Sequence, residues 1–268
     1  AVSDGAVAAT SLEKHVSMIH EKLKLPELPR READLGRLDD DDVQDGAHSG
    51  AGGDGTNVFL SAEIKQQLAG LFPKFAAKVI LRAELDNSPL AGEMSVFMGE
   101  LEELTDKVVC IREIVTGEEK ARREAGGELF PAFRIEREDG SGGNILFHGV
   151  PGGHEFNSFV IALYNMAGPG QPVDDGVQQR IRAIEKDINV KVMVSLSCTM
   201  CPEVVMGVQR AASLSGRVTG EMIDLMHYPE LKKKYKIMSV PCMVINDSQV
   251  YFGKKNLEEV TALLEQAV

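Results

Sequence analysis

Two cysteines separated by two residues, Cys198-Thr199-Met200-Cys201, are the side chains in this sequence best placed to do chemistry. They follow a strand-like run, Val190–Val194, and Pro202 behind them opens a helical pattern. Cys198 therefore falls at or just before a first helical turn. Unpaired backbone N–H groups and the helix dipole favour a thiolate there. Cys201 stands one turn on, within reach to resolve a mixed disulfide. In an intracellular chain near a βαβ pattern, Cys-x-x-Cys reads as a redox dithiol. The plainer alternatives are a zinc half-site or two inert core thiols. Zinc needs two more ligands, and neither a second Cys-x-x-Cys nor a His pair is present. The remaining cysteines are Cys110, on a strand pattern and read as core, and Cys242.

The elements that must position this pair follow from hydrophobic periodicity. The pattern predicts helices over 61–71, 90–104, 155–166, 174–184, 202–213, 230–235 and 257–268. It predicts strands over 78–85, 107–114, 189–195 and 218–224, and hairpins over 131–148 and 242–252. Asp139-Gly140-Ser141-Gly142-Gly143 turns the first hairpin. One plan recurs about 110 residues apart: helix, strand, helix, strand, helix, strand-turn-strand, helix. Leu129-Phe130-Pro131-Ala132 stands where Ser239-Val240-Pro241-Cys242 recurs, a proline starting the hairpin in each. A βαβ unit followed by a hairpin and a helix is a thioredoxin-type order. The expected fold class is α/β, two tandem thioredoxin-like folds of which the first lacks the cysteine pair. In such folds the proline, here Pro241, is cis and faces the dithiol. It leaves the preceding backbone free to pair with an extended incoming segment.

Val194-Ser195-Leu196-Ser197-Cys198-Thr199-Met200-Cys201-Pro202-Glu203-Val204-Val205, Val240-Pro241 and Gly152-Gly153-His154-Glu155-Phe156 together resemble the tandem-thioredoxin domain of AhpF, the flavoprotein component of bacterial alkyl hydroperoxide reductase. The resemblance covers about residues 57–268 and includes the asymmetry, since Leu85-Asp86-Asn87-Ser88-Pro89 follows the first strand with no cysteine pair. It implies a domain that takes electrons from a flavin-linked dithiol and hands them to the disulfide of a peroxiredoxin. It implies that Glu155 approaches the dithiol from the redox-inactive half, as proton acceptor or donor; an N-cap partner or surface carboxylate is the plainer reading. His154 is read as structural. Cys242 departs from the family, which usually has a small residue there. It is expected near Cys198, as a buried small hydrophobe, a third thiol that reroutes the disulfide, or a metal ligand.

The expected organisation has four parts. Residues 1–20 resemble the last helix of thioredoxin-reductase-type flavoproteins, whose start, here Asp4, Gly5 and Ala6, points at the flavin. Residues 21–56, with Asp39-Asp40-Asp41-Asp42 and a glycine-rich run, read as a flexible acidic linker. Residues 57–170 form the redox-inactive fold and 171–268 the redox-active one. The chain begins at Ala1, and the expectation is a C-terminal fragment of a fusion in which a flavoprotein reductase precedes the module in cis. FAD and NAD(P)H are then implied for the full-length protein, and the fragment is expected to bind neither alone.

Composition narrows the partners. The chain has 29 basic and 41 acidic residues and a net charge of -12, which disfavours nucleic acid and anionic membranes. Four cysteines are too few for a secreted disulfide scaffold. The expected localisation is cytoplasmic. The expected activity is a disulfide oxidoreductase serving peroxide detoxification. The alternatives are a general thioredoxin- or glutaredoxin-like protein-disulfide reductase and a module that holds a metal or cluster on cysteines.

Overall fold

The computed structural model describes residues 59–267. The expected opening helix and acidic linker lie outside the described residues.

Ser61 caps α1 (Ala62–Leu71), its hydroxyl accepting the Ile64 amide, and a 3₁₀ turn follows at Phe72–Lys74. The strand β1 (Val79–Leu85) leads through α2 (Pro89–Glu102) to β2 (Val108–Ile114), a parallel pair. After α3 (Gly117–Ala125), β3 (Ala132–Arg137) and β4 (Gly142–His148) form an antiparallel hairpin, and α4 (Glu155–Ala167) closes the first half. The second half repeats the order. Asp174 caps α5 (Asp175–Arg182), which leads to β5 (Ile188–Val194) and α6 (Cys201–Leu214). Then come β6 (Val218–Asp224), α7 (Glu230–Lys234), the hairpin β7 (Cys242–Ile245) and β8 (Gln249–Phe252), and α8 (Leu257–Gln266).

The sequence pattern anticipates these elements within a residue or two, with one exception. Helix α3 buries no residue, so it carries no apolar stripe for periodicity to detect. Charge holds it instead. Lys120 pairs with Asp86 at 2.7 Å, and Arg123 pairs with Glu84 at 2.7 Å. Glu118 and Glu119 in its first turn and Arg122 and Arg123 in its last suit the helix dipole.

All eight strands among the described residues belong to one sheet, in the order β2-β1-β3-β4-β6-β5-β7-β8. The two copies meet where β4 runs parallel to β6, with Ile145 opposite Gly220 and His148 opposite Ile223. Side chains lock this seam. The Asn144 amide donates to the carbonyls of Ala212, Ser215 and Val218 at 2.6, 3.0 and 2.6 Å. The Tyr228 hydroxyl crosses back to the Pro131 carbonyl at 3.0 Å. Gly220 lets α6 lie close, because a Cβ there would sit 2.9 Å from Val208 Cγ1.

The first-half core is aromatic. Phe133 and Phe147 stack at 5.1 Å between ring centroids, and Phe159 of α4 meets Phe97, Phe133 and Phe147 at 5.3, 5.9 and 5.5 Å. Phe159 is fully buried. Truncating it removes a ring from a close-packed cluster and leaves a cavity. Phe159→Ala is therefore expected to cost about 3–5 kcal/mol, measured as a fall in the urea midpoint.

Candidate functional site

The pair Cys198 and Cys201 occupies the loop between β5 and α6. The Cys198 amide donates to the Ser195 carbonyl at 2.9 Å, closing a turn just before the helix. Helix α6 begins at Cys201, with Pro202 next in its first turn. The two sulfurs differ in environment. Cys198 is half-buried, whereas Cys201 is fully buried. Burial pushes the Cys201 thiol far above its ordinary range, and its hydrogen bond with Cys198 and the charge of Glu155 add to the rise. Cys201 thus keeps its proton while Cys198 faces outward, the division of labour an attacking and a resolving thiol require.

The Val240–Pro241 bond is cis, as is Phe130–Pro131 at the matching place in the first half. The Val240 carbonyl oxygen lies 3.9 Å from Cys198 Sγ, and Pro241 is buried behind it. In the first half, the turn that matches the dithiol holds Asp86 and Ser88 instead. Asp86 accepts the Ser88 amide at 2.9 Å and pairs with Lys120.

Glu155, the first residue of α4, is completely buried. Two contacts bring this first-half residue to the second-half dithiol. The His154 amide donates to the Leu196 carbonyl at 3.0 Å. Gly153 adopts φ +53°, and a Cβ there would collide with the same oxygen, so only glycine fits the approach. Ser158 donates its hydroxyl to Glu155 Oε2, while Oε1 is buried without a hydrogen-bond partner. Burial pushes the Glu155 carboxyl up to about 7, opposed by Ser158 and helped by the charge of Asp224. It is neither a surface carboxylate nor an N-cap; it stands within electrostatic reach of Cys201.

Sequence reasoning missed Asp224. It ends β6, beside the strand that leads to the dithiol, and it is buried, which raises its carboxyl. Its place at the carboxyl end of a parallel strand is the signal that would have found it. Sequence reasoning also missed three exposed methionines on the loops at this end of the sheet: Met200, Met226 and Met238.

Cys242 is fully buried, as the small-hydrophobe reading expects. It directly follows Pro241, but its register partner is Met193. Val190 pairs with Gly220, which faces α6, so Met193 and Cys242 point to the opposite face of the sheet. Its thiol is turned away from α6 and is buried, which pushes it up to about 11. Cys110 lies among core residues, its thiol 3.6 Å from the Met98 carbonyl and raised by burial to about 12. His154 is exposed and contributes only its backbone. Among the described residues, no group of three or more His, Cys, Asp or Glu is arranged to hold a metal ion. Asp4, Gly5 and Ala6 lie outside the described residues. The letters Gly-x-Gly-x-x-Gly do occur, at Gly50-Ala51-Gly52-Gly53-Asp54-Gly55, also outside the described residues. The acidic run before them lacks the strand pattern that a dinucleotide turn follows.

Residues 188–265 match the family model described as a thioredoxin domain. A protein disulfide oxidoreductase from Aeropyrum pernix shares the fold, with a TM-score of 0.68 at 18% identity over 78% of this chain and 94% of that one. Together these define the class by its fold: a double thioredoxin-like domain. The structure of the alkyl hydroperoxide reductase AhpF from Enterococcus faecalis is 36% identical over 77% of this chain and 100% of that one, with a TM-score of 0.71. The chain belongs to the AhpF family of alkyl hydroperoxide reductases. The AhpF of Pseudomonas aeruginosa is 29% identical over 77% of this chain, which spans 37% of that relative's length.

The buried carboxyl gives a pH test. The folded state holds the Glu155 proton up to about pH 7, whereas the unfolded chain releases it near the ordinary value of 4.5. Stability therefore falls as pH rises from 4.5 to 7 and stays lower above. Glu155→Gln removes that loss. Its unfolding free energy is expected to exceed the wild type's by up to about 3 kcal/mol at about pH 8 and to match it near about pH 4. A gap independent of pH in urea titrations would contradict the assignment.

Proposed function

We propose that the chain is a thiol–disulfide relay that carries electrons from a flavoprotein dithiol to the disulfide of a peroxiredoxin. The observation that carries this reading is the asymmetric pair itself, a half-exposed Cys198 beside the Val240 carbonyl backed by a buried, protonated Cys201.

In the first step the Cys198 thiolate attacks one sulfur of the partner disulfide. The partner's S–S bond breaks, a mixed disulfide forms, and the released partner sulfur takes a proton. Cys201 then gives up its proton and attacks the Cys198 sulfur. The mixed disulfide breaks, the second partner sulfur leaves as thiolate, and the module ends as the Cys198–Cys201 disulfide. Glu155 is the proton acceptor for Cys201, since a carboxyl that titrates near 7 exchanges protons readily at working pH. The unpaired backbone beside Pro241 receives the extended partner segment. Met200, Met226 and Met238 form an adaptable apolar rim around it.

Electrons return from a flavoprotein that uses FAD and NAD(P)H, joined in cis. No helix among the described residues is long and apolar enough to cross a membrane. A reducing cytoplasm, where thiols persist free, is the compartment this chemistry needs.

In a coupled assay with a flavoprotein reductase and a peroxiredoxin, Cys198→Ser is expected to lower turnover at least about a thousandfold, because the attacking group is lost. Cys201→Ser is expected to accumulate the mixed disulfide, seen on a non-reducing gel. Full activity in Cys198→Ser would overturn the relay. Faster turnover of insulin disulfides than of a peroxiredoxin would instead assign the module to general disulfide reduction.

A further inference from the structure

We propose that the cleft between the β3–β4 turn and the C-terminal end of α6 binds a small tetrahedral oxyanion, either inorganic phosphate or the terminal group of a phosphomonoester. The cleft is about 530 Å³, and three arginines line it: Arg137, Arg182 and Arg210. No Asp or Glu is among its lining residues, in a chain whose net charge is -12. None of the three forms an ion pair among the described residues. Asp139, exposed in the turn, feels the charge of Arg137 without pairing with it.

The arginines are graded by depth. Arg210 is 8% exposed, Arg137 is half-buried and Arg182 is exposed at the mouth. Arg210 is fixed by bonds to the Gln171 carbonyl and, at 3.2 Å, the Ser213 hydroxyl, yet its buried Nε–H has no acceptor. A buried unpaired donor on a cation is costly. Arg137 donates to the Ser213 carbonyl at 2.9 Å. The Gln171 carbonyl belongs to a loop, and the Ser213 carbonyl lies in the last turn of α6, whose dipole end carries only about half a negative charge against three full positive ones. Burial, with the charges of Arg182 and Arg137, pulls Arg210 down to about 10, which is how cations held together without a counter-charge behave. The backbone admits this arrangement at Gly170, where a Cβ would come 3.1 Å from Arg210 Nη1. Guanidinium groups brought to one cleft by three elements, β3, α5 and α6, can fork onto the oxygens of a phosphate group. The dithiol lies at the opposite end of α6, so this site is separate from it.

Isothermal titration of the full chain with inorganic phosphate at low ionic strength is expected to show one saturable site, weakened at least about tenfold by Arg182→Gln. Arg182 is exposed and its substitution leaves the fold intact, which the melting temperature without phosphate verifies. Phosphate should raise that melting temperature in the wild type and fail to in the variant. Glycerol phosphate binding more tightly than phosphate would assign the cleft to monoesters, and the reverse order to the free ion. Absence of saturable binding by either probe, or equal binding by Arg182→Gln, overturns the proposal.

Discussion

Four backbone pairings, from Ile145 with Gly220 to His148 with Ile223, turn two half-sheets into one. Parallel pairing at this seam fixes the direction in which β4 exits. Gly149 to Gly153 therefore run out at the same end of the sheet as the loop that carries the dithiol. Without the seam, Glu155 would begin a helix of another fold. With it, the His154 amide reaches the Leu196 carbonyl, and the carboxyl is sealed beside Cys201. Low dielectric then does the rest. A carboxylate in water titrates near about 4, and the same group desolvated beside a second acid does so near neutrality. The first half has no cysteine pair of its own and reaches the dithiol loop through the segment that carries this one side chain.

The depth at which each residue could be read from sequence follows from the kind of signal it leaves. Strands β1, β5 and β6 and helices α2 and α6 write their burial into apolar periodicity, and so their bounds were legible. The Cys-x-x-Cys pair and the prolines were legible from spacing. Helix α3 was not, because charge pairs to Asp86 and Glu84 hold it in place of a buried face. The seam was invisible for a different reason. Pairing between copies is a relation between distant residues, and the pattern of neither strand names its partner. Cys242 shows the same limit at finer scale. Its neighbour Pro241 placed it near the dithiol in sequence, but strand parity with Met193 turned it through the sheet. Asp224 looked like an ordinary strand end until the fold placed it by Glu155.

Charge is handled differently on the two sides of the molecule. At the dithiol end burial raises the carboxyls of both Glu155 and Asp224, Glu155 to about 7. The arginines at the far end of α6 cannot shed their protons at any ordinary pH, so an uncompensated cluster there stays charged. One helix thus spans two opposite solutions to the same cost of desolvation. Buried acids with raised carboxyls stand near its amino end, and bases without a counter-charge at its carboxyl end.

The seam also changes what counts as the smallest viable unit. Separated from each other, the halves would each present an unpaired strand, β4 on one and β6 on the other, with its amides and carbonyls open to any passing chain. Joined, the described sheet retains only β2 and β8 as outer strands. Neither copy can be shed, shuffled or replaced alone without baring a sticky border. A lineage in which one copy carries no cysteine pair is thereby bound to keep the copy.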